Sequence, residues 1–145
     1  MAGNRLLTHN GSTPCYLLFF TRLPMKQKYR LRRNSDFQRV RQIGKSYASP
    51  TLVLAFLRNE LDHNRYGFVV SKRLGKAVRR NKIKRQMREI IRLEMSHIKP
   101  GFDLVFIARV PSSKASYQEI MQSISKLLKT ADLLVQSSQN KELTL

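Results

Sequence analysis

Apolar residues recur at helical spacing in NSDFQRVRQIG, residues 34–44, and again between residues 81 and 95. The first segment opens with Asn34 and Ser35, which are typical N-cap residues, and Gly44 is a typical stop signal. In the second segment the apolar side chains gather on one side of a helix. The pattern therefore predicts a short helix up to Gly44 and a longer helix from about Asn81 to Met95.

A third helix is predicted near the end of the chain, in SYQEIMQSISKLLKTADLL. It begins with a capping box between Ser116 and Glu119, in which each side chain bonds the backbone N–H of the other residue. Its apolar positions share one face, which we interpret as part of the core. They are Tyr117, Ile120, Met121, Ile124, Leu127, Leu128 and Ala131.

Runs of strand-forming residues separate these helices. Ser46–Arg58 is one such run, and Pro50 marks an edge or a break in it. The polar turn 59–64 leads to a second strand, Arg65–Ser71, and we expect these two runs to form a hairpin. The last run, Phe102–Arg109, is almost continuously apolar, as expected of a strand that is buried on both faces.

This order of elements predicts an α+β fold. We expect a two-layer α/β sandwich with the order helix–strands–helix–strand–helix and the helices packed on one sheet. The domain is expected to span residues 25–135, because the composition changes abruptly at Met25. Residues 1–24 are interpreted as a disordered extension or a mis-assigned start, and residues 136–145 as a polar tail.

The net charge of the chain limits the functions that it could have. Among 145 residues, 28 Lys and Arg stand against nine Asp and Glu, a formal net charge of +19. Such an excess destabilises a compact fold by self-repulsion, so it indicates a polyanionic partner, and nucleic acid is the favoured one. A membrane span is not expected, because no apolar run approaches the ~20 residues that it requires.

The residues that could support chemistry by the protein itself are scattered along the chain. Cys15 is the only cysteine, and the histidines have no cysteine nearby, so a zinc site is not expected. Asp36, Glu89 and Asp103 belong to separate elements, whereas metal-dependent hydrolysis requires clustered carboxylates. We therefore expect no catalytic residue and no metal site in this chain.

The positive charge is concentrated between Lys72 and Arg92, where ten Lys and Arg residues accompany a single carboxylate, Glu89. On a helix, four polar residues of this stretch fall within a stripe roughly 60° wide, opposite the apolar face. The stripe consists of Asn81, Arg85, Arg88 and Arg92. Guanidinium groups form bidentate bonds with phosphate. A solvated face normally mixes both signs of charge, and a membrane-surface helix normally carries bulkier apolar residues than Ile and Met.

The segment SKRLGKAVRRNKIKRQMREIIR, Ser71–Arg92, resembles the signature of the bacterial ribonuclease P protein subunit. The resemblance extends to RLRRNSDFQRVRQIGKS, to GFDLVFIAR and to the last helix, and covers about residues 29–134. It implies an α/β sandwich with a left-handed βαβ crossover. It also implies a cytoplasmic protein that binds the catalytic RNA of ribonuclease P and precursor tRNA. Mg²⁺, held mainly by the RNA, would support removal of the 5′ leader, and no membrane or protein partner is implied.

Carried over to this sequence, the resemblance implies two sets of RNA-binding residues. The set that docks on the catalytic RNA consists of Arg73, Lys76, Arg79, Arg80, Asn81, Lys84, Arg85, Arg88 and Arg92. The leader-binding cleft, between the first helix and the sheet, would include Phe37, Arg41, Tyr47 and Lys72. Phe37 would stack on a base. Arg41 stands where the family often has a second aromatic residue, and its guanidinium plane can also stack on a base.

Two further functions are open on the residues alone. A basic ribosomal protein or a general RNA chaperone could use the same stripe to bind RNA, and only the resemblance separates these functions from ribonuclease P. A DNA-binding helix-turn-helix is disfavoured, because no second helix is placed to support a recognition helix.

Overall fold

The computed structural model describes residues 25–135. The two end segments, 1–24 and 136–145, lie outside the described residues, so the expectations for them stay predictions. The α+β order predicted from the sequence is confirmed. In chain order the helices and strands are α1 (Asn34–Ile43), β1 (Lys45–Ala48), β2 (Leu52–Arg58), β3 (Arg65–Val70), α2 (Ala77–Glu94), β4 (Phe102–Ala108) and α3 (Tyr117–Thr130).

The strands form one sheet in the order β1-β2-β4-β3. β1 and β2 form an antiparallel hairpin, β2 pairs antiparallel with β4, and β3 runs parallel to β4. The sequence predicts a hairpin between the two runs on either side of residues 59–64, and this prediction is wrong because β2 and β3 are not neighbours in the sheet. β4 is buried on both faces and takes the position between β2 and β3. α2 crosses from β3 to β4, and the left-handedness of this crossover stays a prediction.

Pro50 breaks the first strand run, as one of the two sequence interpretations expects. The chain turns between β1 and β2, where Ser49 N donates to Leu52 O at 2.7 Å and Leu52 N donates to Ser49 Oγ at 3.0 Å. Proline has no N–H, so it cannot take part in a sheet interior but fits this turn. The break gives the sheet its fourth strand at the β1 edge.

The helices cover the two faces of the sheet unequally. α2 and α3 pack on the face that carries Leu54, Leu104 and Phe106, and together they enclose the larger core. The apolar side of α2 predicted from its periodicity is confirmed, since Ile83, Met87, Ile90 and Ile91 are all buried. α1 packs on the opposite face, where Val40 contacts the smaller cluster around Ala55 and Val105. α1 therefore covers only part of that face.

The helix ends show which sequence signals act locally. The capping box of α3 is confirmed: Glu119 N donates to Ser116 Oγ at 3.2 Å, and Ser116 N donates to Glu119 Oε2 at 2.9 Å. α1 ends before Gly44 as predicted, but its N-cap is Arg33, which makes no side-chain cap bond. Asn34 and Ser35 lie inside the helix, so the capping expected of them is wrong. α2 begins at Ala77, one turn earlier than predicted.

A buried ion-pair network fixes α1 to the sheet. The side chain of Asp103 in β4 is fully buried and accepts hydrogen bonds from Arg65 Nε at 2.8 Å, Arg65 Nη2 at 2.6 Å and Asn59 Nδ2 at 2.9 Å. Arg65 Nη1 lies 3.6 Å from Asp36 Oδ2, and Arg39 Nη2 lies 3.6 Å from Asp103 Oδ2. Since Asp36 and Arg39 belong to α1, the network sets the position of that helix. The hydrogen bond to Asp103 raises the pKa of Arg65.

Candidate nucleic-acid interface

The outer face of α2 forms an open groove of basic and polar side chains. The apolar side of the helix is anchored in the core, and this anchoring directs the opposite side to solvent. The groove has a volume of about 580 Å³ and is lined by Val78, Asn81, Lys82, Lys84, Arg85 and Arg88. The stripe predicted from helical periodicity is therefore brought together on one surface, with Lys84 added to it. Arg92 is half-buried further along the helix.

The charges of this surface have no ion-pair partner among residues 25–135. Within residues 25–135, the ion pairs made by Lys and Arg involve Arg39, Arg65 and Lys99. None of the basic residues between Lys72 and Arg92 is in an ion pair there. A helix face that served only solubility would carry acidic residues at one-turn spacing to neutralise these cations. The α2 surface instead keeps its charge available for an external anion.

The loop before α2 places more cations at the start of the helix. Leu74 is buried and holds the 3-10 turn Lys72–Leu74 against the core, whereas Arg73 is exposed. Gly75 has a φ of 125°, a backbone conformation that favours glycine. Lys76 is the N-cap of α2 and makes no side-chain cap bond. The free N–H groups of the first turn favour an anion at this end, where the exposed Arg79 also lies.

Arg80 and Arg92 are less exposed than most members of the docking set. Both are half-buried, and Arg80 Nε and Arg92 Nη2 have no hydrogen-bond partner among the described residues. A buried donor without a partner costs free energy of about 1–3 kcal/mol. Because these two nitrogens are themselves buried, a ligand would have to contact the other nitrogens of each guanidinium group.

A pocket at the β3 edge of the sheet contains residues that sequence reasoning missed. It has a volume of about 200 Å³ and is lined by Phe37 of α1 and Phe68 of β3, which approach the sheet edge from opposite faces. Arg30 and Arg32, which precede α1, line the pocket together with Arg88 of α2. The basic run KYRLRR before α1 is the sequence signal for Arg30 and Arg32, but it does not indicate which element they face.

The predicted cleft residues are only partly brought together. Phe37 is half-buried in α1, and Arg41 is exposed one turn further along the same helix. Lys72 is exposed on the turn that follows β3. Tyr47 lies on the other face of the sheet, because it is paired directly with Leu54 and its ring stacks on Phe56 at 6.1 Å. The placement of Tyr47 in the cleft is therefore a correction to the sequence analysis.

The electrostatics of the pocket distinguish Arg88 from the rest of the stripe. Partial burial, together with the positive charge of Arg30, lowers the pKa of Arg88. Arg88 also lines the α2 groove. The docking surface and the aromatic pocket thus meet at one arginine, which the sequence placed only in the docking set.

The described part of the chain offers no protein-based metal centre. Across residues 25–135, no group of three or more His, Cys, Asp or Glu side chains is arranged to hold a metal ion. Asp36 and Asp103 are both engaged by arginines in the network that positions α1. The same residues include no helix long and apolar enough to cross a membrane.

Comparison with known proteins identifies the family. The model of the family described as Ribonuclease P matches residues 25–132. The ribonuclease P protein component of Clostridioides difficile (strain 630) is 44% identical over 106 residues, which cover 72% of this chain and 93% of the relative. That of Herpetosiphon aurantiacus is 43% identical over 109 residues, which cover 75% of this chain and 89% of the relative.

Solved structures agree with the sequence matches. The RNase P protein of Staphylococcus aureus superposes with a TM-score of 0.70 at 42% identity, covering 74% of this chain and 98% of that protein. The RNase P protein of Thermotoga maritima superposes with a TM-score of 0.66 at 39% identity, covering 69% of this chain and 97% of that protein. The chain belongs to the ribonuclease P protein family and is a bacterial protein component of this tRNA-processing enzyme.

Proposed function

We propose that this protein docks on the catalytic RNA of ribonuclease P through α2 and holds the 5′ leader of precursor tRNA beside α1. The observation that carries the proposal is the α2 surface, a groove of cations without ion-pair partners among residues 25–135. Family membership supports association with the ribonuclease P RNA. The docking set consists of Arg73, Lys76, Arg79, Arg80, Asn81, Lys84, Arg85, Arg88 and Arg92.

The leader would lie in the cleft that α1 leaves on its face of the sheet. Val69 and Ile107 are half-exposed on this face beside Phe37, so an extended strand finds an apolar floor there. Stacking of a base on an aromatic ring contributes about 1–3 kcal/mol and tolerates different sequences. Arg41, one turn after Phe37, supplies a guanidinium plane for a second base, and Lys72 supplies charge where the chain enters the basic loop.

The hydrolysis itself would be carried out by the RNA. Metal-assisted phosphodiester hydrolysis needs ligands that hold one or two cations, and the described residues do not fit such a site for Mg²⁺. The carboxylates of Asp36 and Asp103 are already bound by arginines. We therefore place the Mg²⁺ sites in the RNA. The protein would lower the Mg²⁺ requirement by neutralising phosphates that crowd together in the folded complex.

The proposal is tested by cleavage of a precursor tRNA at low Mg²⁺. The three samples contain the cognate catalytic RNA alone, the protein alone, and both together. We expect cleavage only in the combined sample, and we expect Arg85→Ala to reduce it more than Lys129→Ala, a charge removal on the exposed side of α3. Cleavage by the protein alone would contradict the assignment of chemistry to the RNA. No stimulation in the combined sample would instead support a ribosomal or RNA-chaperone role.

A further inference from the structure

The pocket at the β3 edge has the walls of a nucleotide site. Phe37 packs against Gly67, and Phe68 is held by stacking on Phe106 at 5.9 Å, so both aromatic walls are supported from behind. The volume of about 200 Å³ is below the roughly 300–1,000 Å³ typical of pockets that enclose whole drug-sized ligands. This volume suits a single nucleotide of a longer nucleic acid strand.

The charges around this pocket are unbalanced. Among the described residues that line it, Arg30, Arg32 and Arg88 are cationic and none is acidic. Arg30 and Arg88 make no ion pair within residues 25–135, and the buried Nε of Arg30 has no hydrogen-bond partner there. Two like charges that share a partly dehydrated site repel each other. The pKa of Arg88 is lowered mainly by partial burial and, to a smaller extent, by the positive charge of Arg30. The free protein therefore holds two like charges at one pocket, and a bound anion would offset their repulsion.

The position of the pocket indicates where such an anion would come from. Arg88 lines both the pocket and the groove on α2. An RNA strand that lies along the groove would pass Arg88 and reach the aromatic walls without leaving positively charged surface. A phosphodiester at the boundary would be within reach of the bidentate donors of arginine.

We infer that Arg30 and Arg88 together bind one phosphodiester of single-stranded RNA, with the adjoining base at the edge of β3, where Phe37 and Phe68 line the pocket from opposite faces of the sheet. We call this the Arg30–Arg88 phosphate site. It rests on the proposed function and adds to it a ligand group, a second arginine outside the α2 stripe, and a link between the docking surface and the cleft. Arg30 precedes β3 in the sequence and Arg88 follows it, so the site exists only in the folded protein.

The test measures binding of a fluorescein-labelled pentauridylate to the full chain at several salt concentrations. The variants are Arg30→Gln, Arg88→Gln and the double variant. The matched control is Arg58→Gln, an exposed arginine at the end of β2 that does not line the pocket. Hydrogen bonds to charged groups contribute about 1.5–3 kcal/mol, so each single variant should weaken binding by roughly tenfold or more. The slope of log K against log salt should become shallower by about 0.7.

The double variant and the stability of the free protein distinguish a shared phosphate from separate effects. If both arginines bind one phosphate, the double variant should bind little more weakly than the weaker single variant. Arg88→Gln should leave the urea midpoint of the free protein unchanged or raise it, because it removes a repulsion. A structural role for Arg88 would lower that midpoint.

Two results would overturn the inference. One is additive loss of binding in the double variant, which would mean that the arginines bind different groups. The other is unchanged binding in Arg30→Gln. If the wild-type protein still stimulates precursor cleavage, either result rules out the Arg30–Arg88 phosphate site and leaves the proposed function intact. Failure of the wild type to stimulate cleavage would remove the proposed function itself.

Discussion

The ring of Phe37 in α1 lies directly against the backbone of Gly67 in β3. A Cβ added at residue 67 would stand 2.6 Å from Phe37 Cζ, a separation that real Cβ atoms do not tolerate. The glycine therefore allows α1 to bring its aromatic side chain down to the sheet edge. This contact sets one wall of the pocket and the end of the cleft.

Gly67→Ala is expected to displace the Phe37 ring. Forcing an extra methyl group into a packed contact costs about 1–3 kcal/mol, and the misplaced ring should also weaken preference for precursor over mature tRNA. Urea denaturation and competition binding measure the two effects. In a Phe37→Ala background the same alanine should cost almost nothing, because its collision partner is gone. An equal cost in both backgrounds would show that the contact is not the cause.

Asp103→Asn is expected to destabilise the protein strongly. The substitution keeps the shape of the side chain but removes the charge that Arg65 is bonded to, and breaking one partner of a buried ion pair costs about 3–5 kcal/mol. The loss is read from the free energy of unfolding. Asp62→Asn is the control, because the Asp62 side chain is 98% exposed and, within residues 25–135, forms an ion pair only with His63. Similar losses in the two variants would refute the importance of burial.

The α2 surface and the cleft should respond differently to substitution. Arg85→Ala is expected to weaken affinity for the catalytic RNA and to reduce the salt slope of that affinity by about 0.9 for a duplex phosphate. Phe37→Ala should leave this affinity nearly unchanged and reduce discrimination for precursor tRNA. Arg88→Ala should impair both, since Arg88 lines both surfaces. Identical effects of Arg85→Ala and Phe37→Ala would contradict the division.

Two serines near helix starts should differ in their contribution to stability. Ser116 caps α3 through its hydroxyl, so Ser116→Ala is expected to cost about 1 kcal/mol. Ser35 lies inside the first turn of α1, which has no side-chain cap bond, so Ser35→Ala should change the free energy of unfolding by less than about 0.5 kcal/mol. Thermal or urea denaturation compares the two, and a larger loss at Ser35 would contradict the assigned N-cap.

Alkaline pH should destabilise the fold through Tyr66. Burial raises the pKa of Tyr66 above its ordinary value, although a hydrogen bond from Asn64 lowers it in part. A raised pKa means that the native state holds the phenolic proton more tightly than the unfolded state does. The resulting stability is present below about pH 10 and is lost as pH rises through the native pKa.

Urea midpoints between pH 8 and pH 11 measure this effect. Tyr66→Phe should make the alkaline decline shallower. Burial also raises the pKa of Tyr117, so part of the decline should persist until that residue is replaced as well. A midpoint that rises with pH in this range would contradict the assignment.

Local patterns in the sequence predicted the parts of the structure that local physics controls. Helical periodicity identified the buried side of α2, including Ile83 and Met87, because a side chain's direction on a helix depends only on its position in the turn. The capping box of α3 was also predicted correctly, because its hydrogen bonds join residues only three positions apart. The cations of the α2 stripe have no ion-pair partner among residues 25–135, and this follows from the nearly complete lack of acidic residues between Lys72 and Arg92.

The tertiary structure decided which distant segments meet. β4 lies between β2 and β3 in the sheet, and no local pattern in the sequence of these strands predicts that position. The β1–β2 register places Tyr47 on the face away from Phe37, and a shift of one residue would have reversed its direction. Arg30 and Arg88 line one pocket only because the segment before α1 runs beside β3, where Arg30 forms an isolated parallel β-bridge with Tyr66. These outcomes depend on the free energy of the whole packed arrangement, which no short stretch of sequence contains.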